Sequence, residues 1–222
     1  MGEQRNAERV SVLATLGVLL FWAGVFGAGA WVDGYSAWQD YISSLASRGS
    51  PVAPIGVGAP LASAVAHLAT GRAVSGAWHA RWLAALVAAA GLAGVVVALF
   101  RISCPRGPAG CGTTDAVAGD WVDRVHGMGV GGYELFTLAA MLALAVGGFR
   151  RSAAWPRWLG LISLGFAVGS VVLIGQTDGE HLGLWQRLWL ANNLAWLLVV
   201  AWASTLGPSL GPSLGRVDRA PS

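Results

Sequence analysis

The sequence predicts an all-α membrane protein, a polytopic bundle of six transmembrane helices. Hydrophobic residues make up 55% of the 222 residues and charged residues only 11%, a balance that soluble domains of this size do not show. The apolar residues also gather into segments of roughly the 20 residues that cross a bilayer. Because no stretch alternates with the two-residue period of a barrel strand, a helix bundle is the predicted spanning structure.

The six predicted helices lie near residues 10–31, 52–71, 82–100, 124–148, 156–176 and 185–205. The second is the least regular, because Pro54, Pro60, Ser63 and His67 interrupt it. The last two are separated by a short polar connection, so they should form a helical hairpin. We expect residues 1–206 to form a single transmembrane domain and the Pro- and Gly-rich residues 207–222 to be a disordered cytoplasmic tail.

The distribution of arginine predicts that both termini are cytoplasmic. With the N-terminus inside, nine arginines fall in inner segments and five in outer ones, as the positive-inside rule requires. The inner arginines are Arg5, Arg9, Arg72, Arg81, Arg150, Arg151, Arg157, Arg216 and Arg219, and the outer ones are Arg48, Arg101, Arg106, Arg124 and Arg187. The sequence therefore predicts a multi-pass protein of the plasma membrane with its polar motifs on the extracytoplasmic side.

Two features bear on processing and on the outer compartment. Residues 28–30 (AGA) follow a basic start and an apolar stretch, as in a secretory signal, but the apolar run is long and contains Trp22. We interpret it as a retained first helix; cleavage would leave five spans in the same orientation.

Cys104 and Cys111 lie in the predicted outer loop before helix four, where a disulfide can form, and two free thiols are the alternative.

Residues 120–134 (DWVDRVHGMGVGGYE) carry the strongest functional signal, because they place ionisable groups at and inside a membrane helix. Glu134 lies about 15 Å along that helix, near the bilayer centre, and is a candidate catalytic acid. Asp123 and His126 are one turn apart and are candidate acid/base residues. Alternatively, they form a solvated helix N-terminus, and Glu134 is a protonated carboxyl that is bonded to a neighbouring helix.

The surroundings of Glu134 can also be predicted. Gly127 and Gly131 form a GxxxG pair, which favours a closely packed helix on that face. The candidate partners of the Glu134 carboxyl are Tyr133, Asn192 and Asn193, and we expect it to face Asn192 together with the tryptophans of helix six.

Helix six carries a polar and aromatic stripe at helical spacing, formed by Trp185, Trp189, Asn192 and Trp196. The stripe is either a packing face with an interhelical hydrogen bond from Asn192, or the aromatic wall of a substrate cavity. In the second case Asn192 or Asn193 would contact the substrate. The full set of predicted substrate-binding residues is Tyr35, Ser43, Arg187, Trp189, Asn192, Asn193 and Trp196.

Metal-ligating residue types are present at the outer face, but their spacing is not that of a metal site. The candidates His126, Asp178 and His181 belong to no HxxH, HxxxH or CxxC pattern. We therefore predict no metal site, and the sequence does not identify a cofactor.

Residues 34–51 follow the first helix. Trp38, Tyr41, Ile42 and Leu45 recur there at helical spacing, which predicts a short amphipathic helix on the outer interface.

Short motifs in these same segments resemble a known family. They are Gly34-Tyr35-Ser36, Ile42-Ser43-Ser44-Leu45, the helix start from Asp123 to His126, and Gln186-Arg187. Together they resemble the bacterial membrane family called domain of unknown function 998, over residues 10–205. Where that family usually has an acidic residue after the Ile-Ser pair, this chain has Ser44. The resemblance implies a six-helix integral membrane protein with outer polar motifs and implies no particular activity.

Three classes of function are consistent with these features, and we favour lipid-directed chemistry in an outward-facing polar cavity. The first is an enzyme acting on a lipid or isoprenoid, either a hydrolase or an acid-initiated cyclase with Glu134 beside Trp189 and Trp196. The second is a small-molecule or proton-coupled transporter, against which the lack of an inverted repeat counts. The third is a non-catalytic lipid-binding subunit. Membrane lipids are the predicted partners; nucleic acid is not, because the positive charge is small and dispersed. The sequence does not indicate an oligomeric state.

Overall fold

The computed structural model describes residues 2–103, 121–149, 155–177 and 181–206. Its elements are α1 (Gly2–Trp31), α2 (Ile42–Leu45), α3 (Ala53–Trp78), α4 (Arg81–Leu99), α5 (Trp121–Phe149), α6 (Arg157–Ile174) and α7 (Leu182–Ala203). All but α2 are long and apolar enough to cross a membrane, and the described residues include no strand. The predicted class, a six-helix membrane protein, is confirmed.

The six long helices form a ring that follows the order of the chain. Each long helix packs against the next, α7 closes onto α1, and α3 also contacts α7 across the middle. The connections alternate between two ends of the bundle. One end carries residues 32–52, which we call the cap, together with the end of α4 and the starts of α5 and α7.

Small residues allow the helices to approach one another closely. A Cβ added at Gly17 of α1 would lie 2.6 Å from the Ala62 carbonyl oxygen of α3, and Gly148 of α5 faces Gly160 of α6 in the same way. Lipid offers little hydrophobic drive for helices to associate, so van der Waals contact between close backbones supplies much of the packing energy. Large apolar side chains remain exposed on the outward faces, as expected of a surface that meets lipid.

The bounds of α3 differ most from the predicted ones. The helix continues to Trp78, seven residues beyond the predicted end at 71, and Pro60 lies inside it without ending it. A proline removes one backbone hydrogen bond, which a long packed membrane helix tolerates. His79 then ends α3 with a left-handed backbone, at φ 52°, and α4 begins two residues later.

The predicted amphipathic helix on the outer interface is wrong. Only Ile42–Leu45 is helical, and Ile42, Ser44 and Leu45 are buried instead of lying on a surface. Gly34 and Gly49 turn the chain near the two ends of the cap with φ of 77° and 84°, which glycine adopts without strain. The cap folds inward because other elements satisfy much of its backbone, as described below.

The predicted helix contact at the GxxxG pair is also wrong. A Cβ at Gly127 or Gly131 would meet no described atom within 4 Å, so this face of α5 points away from the bundle. Gly129 makes the close approach instead, with a Cβ position 3.0 Å from the Val97 side chain of α4. Spacing alone could not distinguish these two faces of the helix.

Several predicted features fall outside the described residues. They are the disulfide between Cys104 and Cys111, the metal candidate Asp178 and the disordered tail 207–222.

Candidate functional site

Arg187 anchors the cap to α7. Its side chain is buried, and Nη1 donates to the carbonyl oxygens of Asp40 at 2.9 Å and Gly183 at 2.8 Å. Nη2 donates to the Tyr35 hydroxyl, and the guanidinium also lies over the Tyr35 ring, 5.6 Å from its centroid. A planar guanidinium donates in several directions at once, so this one side chain joins two points of the cap to α7.

Two further side chains bind the backbone of the cap. The Gln186 side-chain oxygen accepts from the Ile42 amide at 2.7 Å. Arg101, just beyond α4, donates from Nε to the Ala46 carbonyl at 2.7 Å and from Nη2 to the Ser47 carbonyl at 2.6 Å. The cap is therefore held by side chains from α7 and from the chain beyond α4, which explains why it need not form its own long helix.

The Tyr35 phenol is protonated within this arrangement. Burial raises the pKa of Tyr35 above its ordinary value of 10.0, and the nearby Arg187 acts in the opposite direction. The hydroxyl accepts from Arg187 and donates to the Tyr41 carbonyl at 3.3 Å. Tyr35 thus acts as a neutral bridge between the arginine and the cap backbone.

The candidate acid/base residues Asp123 and His126 lie at the start of α5, beside the end of α4. Asp123 accepts from the Ser103 amide at 2.8 Å and from the Ser103 hydroxyl. The His126 Nδ1 lies 2.8 Å from the Phe100 carbonyl oxygen and donates to it. These contacts join α5 to the end of α4, and an imidazole oriented by Asp123 stays a prediction.

A cavity of about 90 Å³ lies beneath the cap, and we call it the cap cavity. Its polar lining residues are Ser43, Ser63, His126, Tyr133, Gln186 and Trp189. The remaining lining residues are apolar or glycine, among them Phe21, Ile42 and Leu190. The lining is therefore more apolar than the predicted polar cavity, and the side of the membrane towards which it opens stays a prediction.

Two serines of the cap cavity have no hydrogen-bond partner for their hydroxyl among the described residues. Ser43 comes from the cap and Ser63 from α3. Ser63 as a residue is only 8% exposed, but its hydroxyl oxygen is not among the fully buried atoms, so it is accessible to a ligand.

Glu134 lies in a network of uncharged partners. The network, which we call the Glu134 network, consists of Glu134 of α5, Ser170 of α6, and Trp189 and Asn193 of α7. The carboxylate oxygens lie 2.9 and 3.0 Å from Ser170 Oγ, 3.0 Å from Trp189 Nε1 and 3.2 Å from Asn193 Nδ2. Three donors from two other helices thus satisfy a carboxyl that hydrocarbon would not tolerate alone.

Ser170 contacts every other member of the Glu134 network. Its Oγ also lies 2.8 Å from the Asn193 side-chain oxygen and accepts from Trp189 Nε1 at 3.1 Å. A hydroxyl has one hydrogen, so Ser170 donates either to Glu134 or to Asn193. An ionised Glu134 accepts from Ser170, whereas a protonated Glu134 donates to Ser170, which then donates to Asn193. The network can satisfy the carboxyl in both states.

Trp189 connects the two regions. Its indole lines the cap cavity, and its N–H donates to Glu134, which is not a lining residue. Tyr133 packs edge-on against it with ring centroids 5.7 Å apart, and His67 packs edge-on against Tyr133 at 5.3 Å. The Glu134 carboxyl therefore helps to set the position of one wall of the cavity.

The other predicted site residues lie elsewhere. Asn192 donates to the Phe166 carbonyl of α6 at 2.9 Å, and Trp196 donates to the Ser163 hydroxyl of the same helix at 3.0 Å. Both contacts join α7 to α6, and neither residue lines the cap cavity. His181 is exposed and packs against Trp38 with ring centroids 5.8 Å apart. Within the described ranges, no three His, Cys, Asp or Glu residues gather into a metal-binding group.

Sequence reasoning missed Ser63, Ser170 and the amide of Gln186. Serine is common in membrane helices and carries no periodic signal, so neither serine could be singled out. Gln186 had a signal, because it is half of the Gln186-Arg187 motif and precedes a predicted site residue.

The comparisons with known proteins agree with the resemblance found in the sequence. The chain matches the family described as Protein of unknown function (DUF998) over residues 15–203, which runs from within α1 to the last residue of α7. No curated protein and no solved structure matched the chain. The matched region includes the cap, the start of α5 and the start of α7, where the motif residues meet. The chain therefore belongs to the family described as Protein of unknown function (DUF998).

Proposed function

We propose that this membrane protein binds one chain of a lipid in the cap cavity. The observation that carries the proposal is an apolar cavity that is lined in part by the segments containing the family motifs. Ile42 and Ser43 from the cap, His126 from α5 and Gln186 from α7 all line it. A concave apolar site with a few convergent polar groups is the usual form of a small-molecule site.

The size of the cavity limits what it holds. Drug-sized ligands occupy about 300–1,000 Å³, and an apolar cavity of about 150 Å³ binds benzene. A cavity of about 90 Å³ accommodates a few carbon atoms and a small polar group. The rest of the lipid then stays between the helices or in the bilayer.

The position of Glu134 favours binding over acid-initiated cyclisation or proton-coupled transport. Glu134 is not a lining residue of the cap cavity, and its carboxyl accepts from the Trp189 indole, so it has no direct contact with a ligand there. Its neutral partners make it a positioning residue for the cavity wall.

A photoreactive lipid tests the proposal. A long-chain alkyl diazirine, incorporated with the purified protein in vesicles, should label the residues that line the cap cavity. Gly94→Leu should abolish that labelling, because a Cβ at Gly94 meets only the Pro60 carbonyl oxygen, at 3.9 Å, and a longer side chain would occupy the cavity. Gly58→Leu is the control, since it lies in open space outside the lining. Labels confined to the outward faces of the helices would contradict lipid binding in the cavity.

We further propose that the cap faces the extracytoplasmic side of the plasma membrane, with residues 1–206 as a single domain and the tail in the cytoplasm. The excess of arginine in the segments that the sequence assigns to the inner side supports this orientation. In a variant without native cysteines, a membrane-impermeant maleimide should label Arg48→Cys in intact cells and leave His79→Cys unlabelled. The reverse pattern would contradict the orientation.

Lipid-directed hydrolysis is a second candidate, because Ser43 and His126 line the same cavity. A hydroxyl and an imidazole are the parts of a nucleophile and its base. If the protein is a hydrolase, both Ser43→Ala and His126→Ala should stop the release of a fluorophore from a long-chain ester. Unchanged release in both variants would exclude these residues as catalytic groups.

A further inference from the structure

We infer that the cap cavity selects an uncharged lipid alcohol over a phosphorylated lipid, with the Ser63 hydroxyl as its principal polar contact. The inference rests on the lipid binding proposed above and names the chemical class of the ligand.

The described lining of the cap cavity carries no acidic residue, no arginine and no lysine. The arginines that hold the cap are occupied elsewhere. Arg101 donates to the Ala46 and Ser47 carbonyls, and Arg187 donates to two carbonyls and the Tyr35 hydroxyl. The one basic side chain among the described lining residues is His126, whose Nδ1 already donates to the Phe100 carbonyl. A phosphate in the cavity would therefore lose its water without gaining an arginine or lysine partner, which is strongly unfavourable.

Ser63 offers a hydroxyl that its own helix does not use. Serine and threonine in helices often donate to the carbonyl one turn earlier, and Thr70 of the same helix does so to Ala66 at 2.9 Å. The Ser63 hydroxyl makes no such bond within the described part of the chain, although the residue is more than nine-tenths buried and lines the cavity. It can both donate to and accept from a ligand.

Pro60 leaves one backbone acceptor of α3 without its usual donor. Pro60 has no amide hydrogen, so the Gly56 carbonyl, four residues earlier in α3, lacks its helical donor. Both residues line the cap cavity. α3 thus contributes two uncharged polar groups to the lining residues, the Ser63 hydroxyl and, two turns earlier, the Gly56 carbonyl.

These groups match a hydroxyl better than the other neutral head groups. An alcohol can either accept from the Ser63 hydroxyl or donate to it, whereas an ester or an aldehyde can only accept. A carboxylate would bring an unpaired charge. The Gln186 amide and the Ser43 hydroxyl lie in the same lining and add further neutral contacts.

Three photoreactive probes with one alkyl chain distinguish the possibilities. The first ends in a hydrogen atom, the second in a hydroxyl and the third in a phosphate monoester. Labelling of the cavity residues should be strongest for the alcohol and at least about tenfold weaker for the phosphate. If the phosphate labels as well as the alcohol does, the selectivity is refuted while lipid binding stands. If none of the three labels the cavity, lipid binding itself fails.

Variants test the role of Ser63. Ser63→Ala should weaken labelling of the cavity by the alcohol about fivefold, the effect of one lost hydrogen bond, and should leave labelling by the alkane unchanged. Ser75→Ala, on the same helix but outside the cavity lining, should change neither. Equal loss for alkane and alcohol would assign Ser63 to packing and would overturn the inference, as would an unchanged response to the alcohol.

Discussion

The Glu134 network and the cap cavity share the Trp189 indole as a wall but differ in how their polar groups are satisfied. In the Glu134 network the carboxyl, the hydroxyl and the indole all have partners at 2.8–3.2 Å. In the cap cavity the Ser43 and Ser63 hydroxyls have none within the part of the chain that the structure describes. The more conspicuous residue in the sequence is therefore the one whose interactions are complete, and the ordinary serines are available for a ligand.

This difference separates two meanings of a polar group in a membrane helix. A polar group with hydrogen-bond partners joins helices, and its removal lowers the free energy of unfolding. A polar group without partners contributes little to stability, and its removal lowers the affinity for a ligand. The following variants test that division.

The largest effect is expected where the cap meets α3. A Cβ at Gly56 would lie 2.6 Å from the Leu45 carbonyl oxygen, a backbone atom that cannot move without displacing the cap. Gly56→Ala should lower the free energy of unfolding by about 3 kcal/mol, the cost of overpacking a tight contact. Gly58→Ala on the same helix meets nothing within 4 Å and should be neutral or slightly stabilising. Titration with SDS in mixed micelles measures both, and equal stability of the two variants would contradict the close seating of the cap.

The Glu134 network should show the next largest effect. Glu134→Ala leaves the Asn193 amide without an acceptor and removes one acceptor from Trp189, so we expect a loss of about 2 kcal/mol. Glu134→Gln can donate to Ser170 and still accept from the indole, so its stability should fall within about 0.5 kcal/mol of the wild type. The same unfolding measurement applies. A Glu134→Gln variant as unstable as Glu134→Ala would show that the charge, and not the hydrogen bonding, matters.

Raising the pH should weaken the attachment of the cap. Because burial raises the pKa of Tyr35 in the folded state above the value of 10.0 in the unfolded chain, the folded state holds the phenol proton more tightly. The stabilisation is fully present below pH 10 and is lost as the pH rises through the folded pKa. Thermal unfolding measured above pH 10 should therefore show a decline that Tyr35→Phe reduces. An identical decline in both proteins would remove Tyr35 as its cause.

The smallest effect on folding is expected at Ser63. Its hydroxyl has no partner to lose among the described residues, so Ser63→Ala should change the free energy of unfolding by less than about 0.5 kcal/mol. Ser170→Ala, which removes a hydroxyl in contact with Glu134, Trp189 and Asn193, should cost about 1–2 kcal/mol. If both variants lowered the free energy of unfolding by similar amounts, the serines of the two regions would not differ in their contribution to stability.

Much of the fold could be predicted because the length and apolarity of a membrane helix are properties of one continuous segment of sequence. The six spans follow from composition. Of the partners predicted for Glu134 from depth and polarity, Trp189 and Asn193 contact it. The prediction was wrong for Asn192, which donates to the Phe166 carbonyl instead, and for Tyr133. Ser170 could not be predicted, because which face of α6 meets α5 depends on the close approach of Gly148 and Gly160.

The structure of the cap was the least predictable part of the fold. Its apolar spacing predicted a surface helix, but Arg101, Gln186 and Arg187 satisfy its backbone from outside and fold it inward. Such long-range bonds leave no local pattern. The cavity beneath the cap was also predicted to be polar, whereas most of its lining is apolar.

The single hydrogen of the Ser170 hydroxyl has one more consequence. The hydroxyl can donate to Glu134 or to Asn193, and the heavy atoms can keep their places in both arrangements. The direction of this bond at the centre of the bundle is then invisible to any technique that sees only carbon, nitrogen and oxygen. Proton-sensitive spectroscopy, through the resonances of the Trp189 indole and the Asn193 amide or the carboxyl stretch, is the means to detect it.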